Sequence, residues 1–240
     1  MWWPFSKKTS LAESGFFNGF TDWHCHILPG VDDGVKSLPD ALKILDLYER
    51  LGVSTVWLTP HIMEDVPNST ADLKAAFENL KANYSGKIVL NLAAEYMLDS
   101  LFMERLDARD ILPLGNEKQA VLVETSFWTK SSLLNDMLKR TLSAGYYPVL
   151  AHPERYSYMT ESDYNKLLAM GVKFQLNLPS LTGLYGPKAQ KTANLLLKKN
   201  AYSYVGSDLH SRGQLERVLE GEIKDVVSEE IIKVRLHKNI

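Results

Sequence analysis

Apolar positions in this chain follow two alternating rhythms: short continuous runs, and longer stretches in which an apolar residue returns every third or fourth position. The first run, residues 21–26, reads as a strand. The stretch behind it is a complete helix. Ser37 can cap it, Pro39 and Asp40 sit in its first turn, and Leu38, Leu42, Leu45, Leu47 and Leu51 recur along it before Gly52 stops it. β-Branched and aromatic residues make 53–59 the second strand. Apolar runs at 88–94, 120–123, 147–151, 172–176 and 202–205 predict the remaining strands. The intervening periods predict helices over 69–82, 100–108, 131–144, from 160 to Gly171, and over 187–199. Two helical pieces close the chain, the last opening at Ser228.

Alternation of this kind builds right-handed βαβ units on a mainly parallel sheet. The strands are apolar almost throughout, as strands covered on both faces should be. About seven such units in 240 residues, 45% of them hydrophobic, suit a single-domain α/β barrel. No repeat, low-complexity tract or Gly/Ser linker divides the sequence, so 21–240 is expected to be one domain preceded by an arm, 1–20. That arm carries Trp2, Trp3, Phe5, Phe16, Phe17 and Phe20, with Lys7 and Lys8. It reads either as a membrane-interface segment or as a tail or arm packed on the body; the second is favoured, because no sustained amphipathic helix shows.

Charge and cysteine content narrow the partners. The formal net charge of -2 leaves no basic excess for a nucleic-acid backbone. No apolar run reaches the ~18 residues of a membrane span, and the N-terminal residues lack the apolar stretch of a secretory leader. The single cysteine excludes an intrachain disulfide and suits a reducing compartment, so a cytoplasmic protein is expected.

Position along the strands changes the picture most. In a parallel α/β barrel the C-terminal strand ends form one rim, where active sites gather. His24, His26, His61, Glu95, Glu124, His152, Asp208 and His210 each fall at such an end, and of the histidines only His237, in the last helix, does not. Asp32 and Asp33 lie within a loop's reach of His24-Cys25-His26, and Gly30 and Gly34 let the backbone turn tightly there. Any one of these residues alone reads more readily as an ordinary hydrogen-bonded side chain. Gathered on one rim, the carboxylates would repel one another unless cations neutralise them. A nitrogen and oxygen ligand set without thiolate suits Zn, Mn or Fe, and it exceeds what one ion requires. Two or three divalent ions bridged by Glu95 are therefore expected. Adjacent divalent ions acidify a shared water and clamp the oxygens of a displacement at phosphorus, which implies phosphoester hydrolysis. Arg155 and Arg212 are the candidates for holding the phosphate, although Arg212 reads equally well as a rim ion pair. Asn177 either donates to substrate or ties a loop.

A cysteine nucleophile is disfavoured. Alternation turns Cys25 away from the face bearing His24 and His26, and the residue six positions on is Val31, not an arginine that could cradle phosphate. The sequence also lacks a Gly-x-x-x-x-Gly-Lys loop and a Gly-x-Ser-x-Gly elbow.

His24-Cys25-His26 with Val31-Asp32-Asp33-Gly34, Thr59-Pro60-His61, Glu95, Glu124, His152-Pro153-Glu154-Arg155 and Ser207-Asp208-Leu209-His210 together resemble the PHP (polymerase and histidinol phosphatase) superfamily. More narrowly, they resemble the bacterial manganese-dependent protein-tyrosine phosphatases of the CpsB/YwqE kind. The resemblance implies a distorted, TIM-like (β/α)7 barrel and a trinuclear site with manganese as the expected metal. It implies that His24, His26, Glu95 and Asp208 hold one ion, Glu95, Glu124 and His152 a second, and Asp33, His61 and His210 a third. It also favours Asp33 over Asp32. The implied substrate is the phosphotyrosine tail of a membrane-associated bacterial tyrosine kinase controlling capsule or exopolysaccharide synthesis, reached at the inner face of the membrane. Members of this kind begin almost at the His-x-His strand and carry an arginine further beyond the last histidine than Arg212 lies, which makes Arg217 an alternative. The rival readings are a small-molecule phosphoesterase of the histidinol-phosphate kind on the same site, and a non-catalytic, metal-stabilised regulator that binds the kinase. Metal-dependent DNA end processing is disfavoured by the acidic balance.

Overall fold

The computed structural model describes residues 8–117 and 119–224. The strands are β1 (Lys8–Ser10), β2 (Thr21–Cys25), β3 (Thr55–Leu58), β4 (His61–Ile62), β5 (Val89–Leu92), β6 (Glu95–Met97), β7 (Ala120–Glu124), β8 (Tyr147–Ala151), β9 (Lys173–Asn177), β10 (Tyr202–Gly206) and β11 (Glu222–Lys224). Between them run α1 (Leu38–Leu51), α2 (Thr70–Asn83), α3 (Ser100–Asp107), α4 (Leu134–Ser143), α5 (Glu161–Met170), α6 (Leu178–Leu181), α7 (Gly186–Lys198) and α8 (Arg212–Glu220). The expected helix opening at Ser228, and His237 within it, lie outside the described residues.

Helix starts follow the chemistry of their caps. The Ser37 hydroxyl accepts from the Asp40 N–H at 3.3 Å, Ser69 does the same for Asp72, and Thr160 and Asp163 form a reciprocal capping box.

Each of the seven expected strand runs is present, but two of them are broken. β3 and β4 are one run interrupted at Thr59-Pro60, and β5 and β6 are one run interrupted at Ala93-Ala94. Proline offers no N–H to a ladder, so pairing lapses at Pro60; beyond it β4 pairs with β6, the continuation of the run that β3 pairs with as β5, and has left β2 behind. β2, β3 and β5 form one parallel sheet, and β10-β9-β8-β7-β6-β4 form another. The broken runs therefore pass from the first sheet into the second, bridged by Ala93 N–H to Leu58 O at 2.9 Å and Glu95 N–H to Pro60 O at 3.1 Å. On the other side, β2 meets the end of β10 through Asp208 N–H to His24 O at 2.7 Å and His26 N–H to Leu209 O at 2.9 Å. These bonds join the two parallel sheets at both edges.

Alternation sorts the strand side chains into two apolar layers. Ala120, Leu122, Val149 and Ala151 face inward with Trp57 and Tyr204, while Val121, Val123 and Leu150 face outward into the larger core beneath the helices. Following the inner face toward the strand ends, the layer turns polar at Glu124, His152 and Gln175. All three are buried.

β1 and β11, which the pattern did not predict, pair antiparallel. Between β1 and β2, Phe16, Phe17 and Phe20 are buried; Phe16 and Phe20 lie 4.8 Å apart, and Phe17 also packs on Tyr48 of α1. These three rings are thus committed to the core and unavailable to a membrane. Trp2, Trp3, Phe5 and Lys7 lie outside the described residues. No helix among the described residues is long and apolar enough to cross a membrane.

Candidate metal centre

The inner-face residues of the strands and the loops that follow them meet at one end of the fold. β2 carries His24 with His26 just beyond it, and the two Nε2 atoms face each other at 3.1 Å. Glu95 Oε2 lies 3.2 Å from His24 Nε2, 3.3 Å from His26 Nε2 and 3.2 Å from His61 Nδ1. Asp208 Oδ1 lies 3.6 Å from His24 Nε2 and 3.5 Å from His26 Nε2. Glu124 Oε1 approaches His61 Nδ1 at 3.2 Å, and His152 Nε2 reaches Glu95 Oε1 at 3.1 Å. Asp33 Oδ1 sits 3.5 Å from His61 Nε2 and 3.4 Å from His210 Nε2. All nine residues expected to ligate metal are thus brought together.

The outward nitrogens of three of these rings are already engaged. His24 Nδ1–H donates to Gln175 Oε1 at 2.9 Å, His26 Nδ1–H to Asp32 Oδ2 at 2.8 Å, and His210 Nδ1–H to the Asp208 carbonyl at 2.9 Å. Each bond fixes a tautomer whose Nε2 lone pair points into the cluster. Asp32 also accepts N–H groups from Gly34 and His61, so the two adjacent aspartates differ in what they do. Asp32 braces the rings from outside, while Asp33 faces the cluster. Gly34 is required because a Cβ there would lie 2.2 Å from the His26 carbonyl oxygen.

Asp208 divides its carboxylate similarly. Oδ2 accepts from Arg155 Nη1 and Asn177 Nδ2, both at 2.7 Å, leaving Oδ1 toward the imidazoles. Asn177 is therefore a brace for Asp208. Arg212 stands apart: it opens α8 exposed, its Nε donating to Glu216 Oε1 at 2.8 Å one turn along the same helix. Arg217, on the same helix, is also exposed.

The electrostatics fit cations. Burial alone would depress the His24 imidazole, yet Glu95 and Asp208 lift it to about 9; burial likewise opposes His61, which Glu124 and Glu95 raise to about 10. Burial pushes Glu95 up, but the imidazoles override it and hold the carboxyl well below its usual range. Without metal, the carboxylates thus draw protons onto the rings. Glu95 Oε2 and His61 Nδ1, 3.2 Å apart, are nevertheless buried without a hydrogen bond of proper geometry. Orphaned lone pairs converging within ligand distance of one another are the donor set a divalent cation satisfies. Four groups could each hold an ion: His26, Asp33, His61 and His210; His24, Glu95 and His152; His24, His26 and Asp208; and His61, Glu95 and Glu124. These groups cut across the three expected sets: His26 also joins Asp33, His61 and His210, Glu95 falls with His152 and with Glu124 but not with the His24, His26 and Asp208 group, and Glu124 groups with His61 while His152, 4.0 Å from Glu124, groups with His24.

A family model described as capsular polysaccharide synthesis, CpsB/CapC, matches residues 20–229. The chain belongs to this family. Among its relatives, the tyrosine-protein phosphatase YwqE of Bacillus subtilis is 29% identical over 196 residues, covering 79% of this chain and 77% of YwqE. The tyrosine-protein phosphatase CpsB of Streptococcus pneumoniae is 30% identical over 203 residues, covering 79% and 82%. A chain from the crystal structures of YwqE and CpsB, described as unique metal-dependent tyrosine phosphatases, superposes with a TM-score of 0.74 at 25% identity, covering 91% of this chain and 87% of that one.

The cluster also rests on residues that strand-end reasoning passed over. Gln175 orients His24 and accepts the His152 N–H at 3.2 Å; its only sequence signal is an amide inside an apolar strand. Asp22 is buried and accepts from the Ser207 N–H and hydroxyl, the Tyr48 hydroxyl and the His24 N–H, fastening β2 to the β10 end. His152 and Asp208 adopt left-handed backbone conformations, with φ of 35° and 50°, which non-glycine residues hold only when their surroundings enforce it. Cys25 is buried in the outer core with Sγ against the Trp57 carbonyl at 3.4 Å, and burial pushes its thiol well up.

Proposed function

We propose that this chain is a metal-dependent protein-tyrosine phosphatase that hydrolyses phosphotyrosine on the tail of a membrane-associated bacterial tyrosine kinase, acting in the cytoplasm at the inner face of the membrane. The observation that carries the reading is the convergence of His24 and His26 Nε2 on the orphaned Glu95 Oε2 while both Nδ1 atoms are held from behind. The family's link to capsular polysaccharide synthesis and the names of its relatives support the substrate class and the pathway.

His24, His26, Asp208, Glu95, Glu124, His152, Asp33, His61 and His210 would hold two or three ions, manganese first, with iron or zinc as the other choices that suit such ligands. Divalent ions bound there supply Lewis acidity and lower the pKa of water to near neutrality. Glu95, set among four imidazoles, would offer its carboxylate oxygens to such ions. Arg155 is the phosphate-binding cation of the site, its guanidinium oriented by Asp208. It stabilises negative charge on the equatorial oxygens as the ester bond breaks. The departing phenol has a pKa of about 10, so a strong general acid is less necessary than for an alkyl phosphate. Arg212, engaged with Glu216, is the weaker candidate for a second phosphate contact.

The test is phosphate release from phosphotyrosine peptide, phosphoserine peptide and a sugar phosphate, by manganese-loaded protein whose metal content is measured. Release from phosphotyrosine well above the others is expected. Cleavage of the sugar phosphate alone would transfer the site to a small-molecule substrate, and tight phosphopeptide binding without release would make the protein a regulator.

A further inference from the structure

Arg155 packs against two aromatic rings. Its guanidinium carbon lies over both, 4.4 Å from the centroid of Phe127 and 4.2 Å from that of Tyr185. The rings come from unrelated parts of the chain, Phe127 from the loop after β7 and Tyr185 from the junction between α6 and α7. Each is itself fixed. Phe127 stacks on Tyr156 at 5.4 Å, and the Tyr185 hydroxyl accepts from Gln214 Nε2 at 3.2 Å. Gln214 in turn accepts the His210 N–H at 2.8 Å and donates to the Asp208 carbonyl at 3.1 Å, so the Tyr185 ring is tied to the same turn that carries Asp208 and His210.

A guanidinium packed against two aromatic rings has fewer directions open to other partners. Asp208 occupies Nη1 at 2.7 Å, and the side chain retains 22% of its exposure. The remaining N–H groups lie in one plane, the arrangement that suits a forked contact to two oxygens of a phosphate. A lysine could not be held this way, because an ammonium has no plane to stack.

We infer that Phe127 and Tyr185 are positioning residues that clamp Arg155 for phosphate, and so set how tightly the phosphoryl group is bound. The inference rests on the proposed role of Arg155 as the phosphate ligand. The clamp acts through Arg155 alone, which distinguishes it from general packing.

The experiment is a set of double-mutant cycles on manganese-loaded full-length protein, reading the dissociation constant of inorganic phosphate and the KM and kcat for a phosphotyrosine peptide. Phe127→Leu and Tyr185→Leu should each weaken phosphate binding roughly 3- to 30-fold, the range set by one cation–π face. KM should rise by a similar factor, with kcat less affected. Tyr185→Phe keeps the ring but loses its bond to Gln214, so it should weaken phosphate binding less than Tyr185→Leu does; in an Arg155→Ala background both leucine substitutions should change phosphate binding by less than about 2-fold. Metal content measured on every variant identifies effects routed through His152, whose ring lies 5.3 Å from Phe127. Equal losses with and without Arg155, or losses that track metal content, would overturn the clamp while leaving the phosphatase reading intact. A wild-type protein that binds no phosphate and cleaves no ester would overturn both.

Discussion

His24 and His26 point their Nε2 atoms at each other across 3.1 Å, while Gln175 and Asp32 hold the opposite ring nitrogens. Two imidazoles fixed in this way present paired lone pairs to a shared ligand. The braces should matter almost as much as the ligands. Gln175→Leu and Asp32→Ala are each expected to lower metal affinity by about 10- to 100-fold, the range for lost outer-shell hydrogen bonds. Manganese titration followed by calorimetry checks this; unchanged affinity would mean the rings are oriented by packing alone.

The seam between β2 and the β10 end is fastened by Asp22, whose buried carboxylate gathers four donors. Asp22→Ala leaves those donors buried without an acceptor and should cost about 2–4 kcal/mol, whereas Tyr48→Phe removes one of them and should cost about 1 kcal/mol. Urea unfolding of metal-free protein separates this effect from ligand loss.

Gly206 closes β10 directly against His24: a Cβ at that position would lie 2.5 Å from the His24 Cβ and 2.8 Å from Gln175 Nε2. Gly206→Ala should therefore destabilise the fold by about 1–3 kcal/mol. Because His24 is a proposed ligand and Gln175 braces its ring, bound metal measured by elemental analysis should fall with it.

Cys25 is fully buried with its thiol pushed up by burial, so it offers neither access nor thiolate. Phosphate release by Cys25→Ala should stay within about 2-fold of wild type, and native protein should resist iodoacetamide. Inactivation by alkylation of the folded protein would restore the cysteine as a candidate nucleophile.

The parts of this site that the sequence disclosed share a physical reason. His24, His61, Glu124, His152 and Asp208 follow or interrupt apolar runs, and in a parallel α/β fold the position at which such a run ends is itself spatial information. The breaks within two runs were less legible. Pro60 is visible in the sequence, but that the run parts from β2 there while keeping its neighbour on the other side depends on what lies across the sheet. Gln175, Asp22 and Tyr185 gave no comparable signal, since a lone polar or aromatic residue takes its role from neighbours distant along the chain. The left-handed turns at His152 and Asp208 run against local preference and are imposed by tertiary bonds. Phe16, Phe17 and Phe20 were ambiguous for the opposite reason: composition shows an aromatic cluster but not which surface covers it, and here α1 and the core do.

The central claim, that these imidazoles and carboxylates work by binding several cations, is tested most directly by removing and restoring the metal while following phosphate release from a phosphotyrosine peptide. Chelation should abolish release, and manganese should restore it with more than one ion bound per chain at full activity. Protein that keeps its full rate after complete metal removal would contradict the account.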